Sequence, residues 1–213
     1  MEGLIPQEKD RGDKAEEAER ISAVYKLLSR IFIGEVDAPF LRQVRTEGFC
    51  ESLKSAGIDF GDEFLSRNEE ELLEDLAVEY ARLFIVPGIS LPPYESVYAE
   101  GMLSGESAQQ VGNFYRKCGM EVVEASFLPD HVGLELELMS YLKQKEADAL
   151  KNGNQDTSRW MELQKEFMAD HLGKWVPQFF TMVEKGTESP FYKEMAKLGR
   201  ELLVGCNGYV FAP

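Results

Sequence analysis

Phe127-Leu-Pro-Asp-His-Val-Gly-Leu-Glu-Leu-Glu-Leu-Met-Ser-Tyr-Leu142 reads as the opening of a helix with polar chemistry gathered at its N-terminal end. Pro129 suits a first helical turn, where its missing N–H costs nothing. Asp130 then falls near the positive end of the helix dipole, which favours a carboxylate. Leu134, Leu138, Tyr141 and Leu142 recur at spacings of three and four and make one apolar stripe. His131 and Glu135 are four apart and share a face. The helix is expected from about Asp130 to Leu150.

The same periodicity runs outward in both directions. Ala18, Ile21, Val24, Tyr25, Leu28, Ile31 and Phe32 mark a helix over Ala15 to Ile33, with Gly34 at its stop. Asp37 can cap a short helix, and a second short one covers Phe49 to Ala56. Asn68 is a good N-cap for a long helix whose buried face is Leu72, Leu73, Leu76, Tyr80, Leu83 and Phe84. Ile89 to Tyr98, with Pro92 and Pro93, is expected as an extended ordered loop. Ser107 to Cys118 is helical and closed by Gly119. Asn152 to Asp156 is a turn. A helix starts at Thr157 or Ser158, a kink near Trp175-Val-Pro177 leads into another with Phe179, Phe180 and Val183, and Glu188-Ser-Pro-Phe-Tyr begins the last helix.

No convincing run of period-two alternation occurs. The expected fold is therefore all-α, a single globular bundle-like domain of about nine or ten helices. Residues 1–14 are polar and expected to fray, leaving 15–213 as the helical domain. Gly101 and Gly105 make 100–106 the best hinge between an N-terminal half, 15–99, and a C-terminal half, 107–213. Such a hinge permits a domain-swapped dimer as well as a monomer.

The chain has 213 residues and a net charge of −15. That charge argues against nucleic acid or an anionic membrane as partner, since both reward clustered Lys and Arg. It suits a basic partner, and it equally serves solubility. Gly61 to Tyr80 holds eight acids against Arg67 and so nets −7. Such a run can steer a positive peptide or be a solvated helix face. Three scattered cysteines, Cys50, Cys118 and Cys206, form no disulfide framework and fit a reducing compartment. The first residues lack a basic and apolar secretory signal. No apolar run approaches the roughly 18 residues of a spanning helix, so no integral membrane segment is expected.

Four chemistries can be weighed. His131, Glu135 and His171 could form a metal site, but neither His-Glu-x-x-His nor a cysteine cluster supports a metal-dependent helical enzyme. No Gly-x-Ser-x-Gly elbow suggests a nucleophile, and no phosphate-binding glycine motif suggests a nucleotide, so neither an enzyme nor a cofactor is expected. Asp130 and His131 could do acid–base work, or cap a helix and hold a loop. Peptide binding needs aromatic anchors and a charged rim. Tyr80, Leu83, Phe84, Tyr94 and Tyr98 could anchor, with Glu95, Asp130 and Glu135 as the rim. Leu83 and Phe84 also fit a plain core on their spacing, and Ser96 can cap a following turn.

The opening segment resembles the signature of the TorD/DmsD/NarJ family, in which Pro-Asp-His opens a Leu-Glu-rich helix. Tyr80-Ala-Arg-Leu-Phe84 followed by Pro92-Pro-Tyr-Glu-Ser-Val-Tyr98 is similar to the family's central motif. Asp170-His-Leu-Gly-Lys-Trp-Val-Pro177 and Pro190-Phe-Tyr192 match more loosely, in the family's order. The resemblance implies a cytoplasmic, all-helical chaperone that is not an enzyme. Its partner would be the twin-arginine leader and apo catalytic subunit of a molybdopterin oxidoreductase, held for cofactor insertion before export. A delta-subunit-like assembly factor for a membrane nitrate reductase is the rival within the family. Carried over residue by residue, the leader-binding surface would include Tyr80, Leu83, Phe84, Pro93, Tyr94, Ser96, Tyr98, Asp130 and His131. After Leu-Phe, many relatives have Gly-Pro, whereas this chain has Pro87-Gly88.

Overall fold

Helix α1, Ile5–Phe32, starts ten residues before the expected Ala15 in a computed structural model that describes residues 5–120, 126–153 and 156–206. The added turns consist largely of charged, helix-favouring residues, among them an Asp10–Lys14 pair one turn apart at 2.8 Å. Residues 1–4, the middle of the 152–156 turn and the chain after Cys206 lie outside the described residues.

The other helices are α2 (Ala38–Val44), α3 (Glu47–Ser55), α4 (Asp62–Ser66), α5 (Glu69–Phe84), α6 (Glu95–Glu100), α7 (Glu106–Lys117), α8 (Val132–Lys151), α9 (Thr157–Phe167), α10 (Gly173–Gly186) and α11 (Pro190–Cys206). A π turn, Met168–Leu172, joins α9 to α10. Eleven α segments with two fused through that turn leave ten continuous rods, and the described residues contain no strand. The fold is all-α. Among the described residues no helix is long and apolar enough to cross a membrane.

Expected caps are present. Asp37 Oδ1 accepts from the Phe40 N–H at 2.8 Å, and Asn68 Oδ1 accepts from Glu70 and Glu71 N–H at 2.9 and 3.2 Å. Two short helices, α4 and α6, stand where no helix was expected. Each is under two turns, too short for a periodicity to register. For α6 this corrects the extended loop expected over 89–98, which is helical from Glu95. The start of the next helix, expected near Trp175-Val-Pro177, comes earlier, at Gly173. Pro177 lies inside α10, and the irregularity comes earlier, as the π turn. Gly173 admits that turn, because a Cβ there would stand 2.4 Å from the Met168 carbonyl oxygen.

The helices group into two compact units interleaved in sequence. Unit 1 takes Met1–Ile33 and Tyr94–Trp175; unit 2 takes Gly34–Pro93 and Val176–Pro213. The 101–105 segment thus joins α6 to α7 inside unit 1, where the Glu100 carboxylate accepts from the Ser107 N–H at 2.9 Å.

In unit 1, α8 packs along α1. Ser22 Oγ donates to the Ser140 carbonyl at 2.8 Å, and Ser140 Oγ returns the bond to Ser22 at 2.9 Å. Gly133 lets the helices close: a Cβ there would sit 2.7 Å from Ile33 Cβ. Helix α8 is buried nearly all round, including Leu136, Met139 and Glu135, whereas Leu134 and Tyr141 of the expected stripe are half-buried. A central helix meets neighbours on several sides, so one stripe does not describe it.

In unit 2, Tyr80, Leu83 and Phe84 of α5 are core. The Tyr80 and Phe84 rings meet Phe179 and Tyr192 at centroid distances of 5.9–6.4 Å. Gly199 of α11 faces Phe180, where a Cβ would lie 2.3 Å from the ring. Gly199→Ala gains helix propensity but overpacks a fully buried aromatic. A net loss of about 1 kcal/mol is expected by urea denaturation. Unchanged or raised stability would show that Phe180 moves aside freely.

Candidate functional site

The segment Tyr94–Tyr98 and the start of α8 are laced together by buried polar groups within unit 1. Tyr94 and His131 form an isolated antiparallel bridge, and the Glu95 N–H donates to the Asp130 carbonyl at 3.0 Å. Asp130 was expected to cap its own helix. Instead its Oδ2 accepts from the Ser96 N–H at 2.9 Å, so its charge faces the N-terminus of α6. The cap of α8 is His131, whose Nδ1 accepts from the Gly133 N–H at 3.1 Å. Helix α8 therefore begins at Val132, two residues later than expected. Pro129 and Asp130 form the turn before it.

Burial pushes the His131 imidazole down to about 4, so it is neutral at pH 7. With Nδ1 accepting, the ring proton sits on Nε2. The ring lies between Tyr94, edge-on at 5.0 Å, and Phe127 at 4.7 Å. His171, in the π turn, meets the Glu95 carboxylate with Nδ1 at 3.1 Å. Trp175 Nε1–H donates to Glu135 Oε2 at 3.2 Å.

Glu135 is fully buried. Burial, then the neighbouring Glu95 and Asp130 carboxylates, push its carboxyl well above the ordinary range. Its neutral form is thereby favoured. Glu135 Oε1 and Asp130 Oδ1 are buried without a hydrogen-bond partner. Burial also pushes Tyr98 up to about 12 and Tyr115 well above its usual value.

The nominated residues thus divide in two. Tyr94, Glu95, Ser96, Tyr98, Asp130, His131 and Glu135 come together in unit 1. Tyr80, Leu83, Phe84 and Pro93 are buried in unit 2. Glu95, Asp130 and Glu135, expected as a charged rim, lie in the interior at 4% exposure or less. Tyr94 and Tyr98 remain half-buried, with Tyr98 against Trp175 at 5.1 Å.

His131, Glu135 and His171 do not assemble into a metal site. Each is engaged by a different partner, and the described residues contain no group of three potential ligands. Burial raises the Cys118 thiol to about 11, so it is not an activated nucleophile.

Sequence reading missed the partners of this cluster. Asp170-His171 repeats the Asp-His pair of 130–131, but nothing in the sequence links His171 to Glu95. It also missed the exposed apolar side chains Val78, Ile85, Val86 and Ile89, because attention went to the periodic, buried face of α5.

Residues 47–181 match the family model described as nitrate reductase delta subunit. The chaperone protein TorD of Shewanella piezotolerans is 28% identical over 197 residues, covering 83% of this chain and 86% of that protein. The chaperone protein YcdY of Escherichia coli is 27% identical over 143 residues, 67% of this chain and 69% of that one. A crystal structure described as a redox enzyme maturation protein from Archaeoglobus fulgidus aligns with a TM-score of 0.56 at 26% identity. It covers 88% of this chain and 93% of that one.

Proposed function

Because the chain belongs to the nitrate reductase delta subunit family, whose named relatives here are chaperones rather than enzymes, we propose that it is a cytoplasmic chaperone for a molybdopterin oxidoreductase subunit. It binds the twin-arginine leader and the apo form of that subunit and holds them until the cofactor is inserted, before export. The observation that carries this reading is the anchored Tyr94–Tyr98 segment. A buried polar lattice fixes its backbone while two tyrosine rings stay partly exposed, an arrangement suited to recognition. Of the nominated residues, Tyr94 and Tyr98 are the client contacts. Pro93, Glu95, Ser96, Asp130, His131 and Glu135 set their position. Tyr80, Leu83 and Phe84 are core residues of unit 2.

The family description favours a second reading, an assembly factor for a membrane nitrate reductase that recognises the enzyme body and needs no leader. Calorimetric titration with a twin-arginine leader peptide at low and high salt separates the two. Leader binding that weakens with salt is expected, and Tyr94→Ala should cost roughly tenfold in affinity. Binding to the apo-enzyme body without any leader binding would favour the assembly factor.

A further inference from the structure

Helix α5 carries a second surface, and we infer that it seats a client segment whose positive charges precede an apolar run; this rests on the leader-recognition reading above. Along the exposed side of α5, Glu71, Glu74, Val78 and Ile85 fall within a sector of about 60°. The sector is acidic toward the N-terminal end and apolar toward the C-terminal end. Val78 and Ile85 are 64% and 58% exposed. Val86 and Ile89 extend the apolar end at 40% and 66%. The turn that carries them is tied back to the helix by the Leu91 N–H on the Leu83 carbonyl at 2.7 Å.

The charges along this stripe are sorted. Arg82, which interrupts it, is neutralised by both oxygens of Glu79 at 2.7 Å and also donates to the Gly186 carbonyl. Asp75 pairs with Arg67 at 2.6 Å. Glu71 and Glu74 form no ion pair among the described residues, so their charge faces solvent. A segment lying parallel to α5, with its cations over Glu71 and Glu74, would place its apolar run over Val78 and the Ile85–Ile89 turn. The distance from Glu71 to Ile85 is about 21 Å. A second copy of the chain is a poorer occupant, because a net charge of −15 opposes self-association.

The test uses the full chain and a synthetic peptide carrying an Arg pair followed by an apolar run. All substitutions are at exposed positions, so folding is retained. Val78→Ser, Ile85→Ser and Ile89→Ser together should weaken binding roughly a hundredfold. Met102→Ser with Leu103→Ser, exposed apolar positions in unit 1, should leave it unchanged. Glu71→Gln with Glu74→Gln should flatten its salt dependence. Wild-type affinity in the triple variant would overturn the α5 seat while leaving leader recognition standing. Failure of the wild type to bind the peptide would remove the leader reading and the seat with it. Wild-type self-association that the triple variant abolishes, with peptide affinity intact, would assign the face to a second copy and overturn the proposal.

Discussion

Glu135→Gln should yield a folded protein whose stability advantage over wild type grows as pH rises. The Glu135 carboxyl is fully buried beside Glu95 and Asp130 and holds its proton far above the usual range. In the unfolded chain the same group ionises near its model value of 4.5. Above that pH the native state binds one more proton than the unfolded state. Wild-type stability therefore falls with rising pH, at up to about 1.4 kcal/mol per unit, until Glu135 itself ionises. Below 4.5 both states are protonated and the penalty vanishes. Glutamine is neutral at every pH and can still accept the Trp175 N–H. Urea denaturation of both proteins across the acid to alkaline range reads the effect. Curves that stay parallel would mean that the buried group is ionised or has a solvent path.

Glu79→Ala should cost about 2 to 3 kcal/mol at neutral pH. Glu79 fastens α5 to the α10–α11 connection inside unit 2. Its Oε1 accepts from Thr187 Oγ1 at 2.6 Å and from the Glu188 N–H at 2.8 Å, and Arg82 grips both oxygens. Burial alone would raise this carboxyl. The bonds from Arg82, Thr187 and the Glu188 N–H outweigh burial and hold it at about 2. A depressed carboxyl stabilises the fold above its unfolded value of 4.5, and that contribution is lost as pH falls from there toward 2. Wild type should therefore lose stability over this window, while the alanine variant shows a smaller loss on acidification. A variant as stable as wild type at pH 7, with the same acid profile, would show that the fastening contributes nothing net.

Much of the architecture was legible because it follows from local rules. Asn68 and Asp37 capped where expected, and the apolar spacing of α5 identified Leu72, Leu76, Tyr80, Leu83 and Phe84 as buried. Reading failed where the deciding partner is distant in sequence. Asp130 carries good credentials as the cap of its own helix, yet it serves α6, 34 residues away. Glu135 reads as a rim charge because its neighbours alternate with leucines. Only the tertiary surroundings, Trp175, Glu95 and Asp130, show that it is an interior acid. Pro177 misled in the other direction, since it lies inside α10 and the boundary falls earlier, at the π turn. The exposed valine and isoleucines of α5 escaped notice because a buried-face pattern says nothing about apolar residues off that face.

The interleaving of the two units also fixes the order in which the chain can complete itself during synthesis. Helix α1 leaves the ribosome before α8, which packs along it and follows about a hundred residues later; Ser22 and Ser140 are 118 apart. Unit 2 begins in the interval and waits in turn for α10 and α11. Neither unit can therefore close before its later segment has emerged, and folding is expected to be slow. A chaperone of this architecture is itself exposed to aggregation until those later segments emerge.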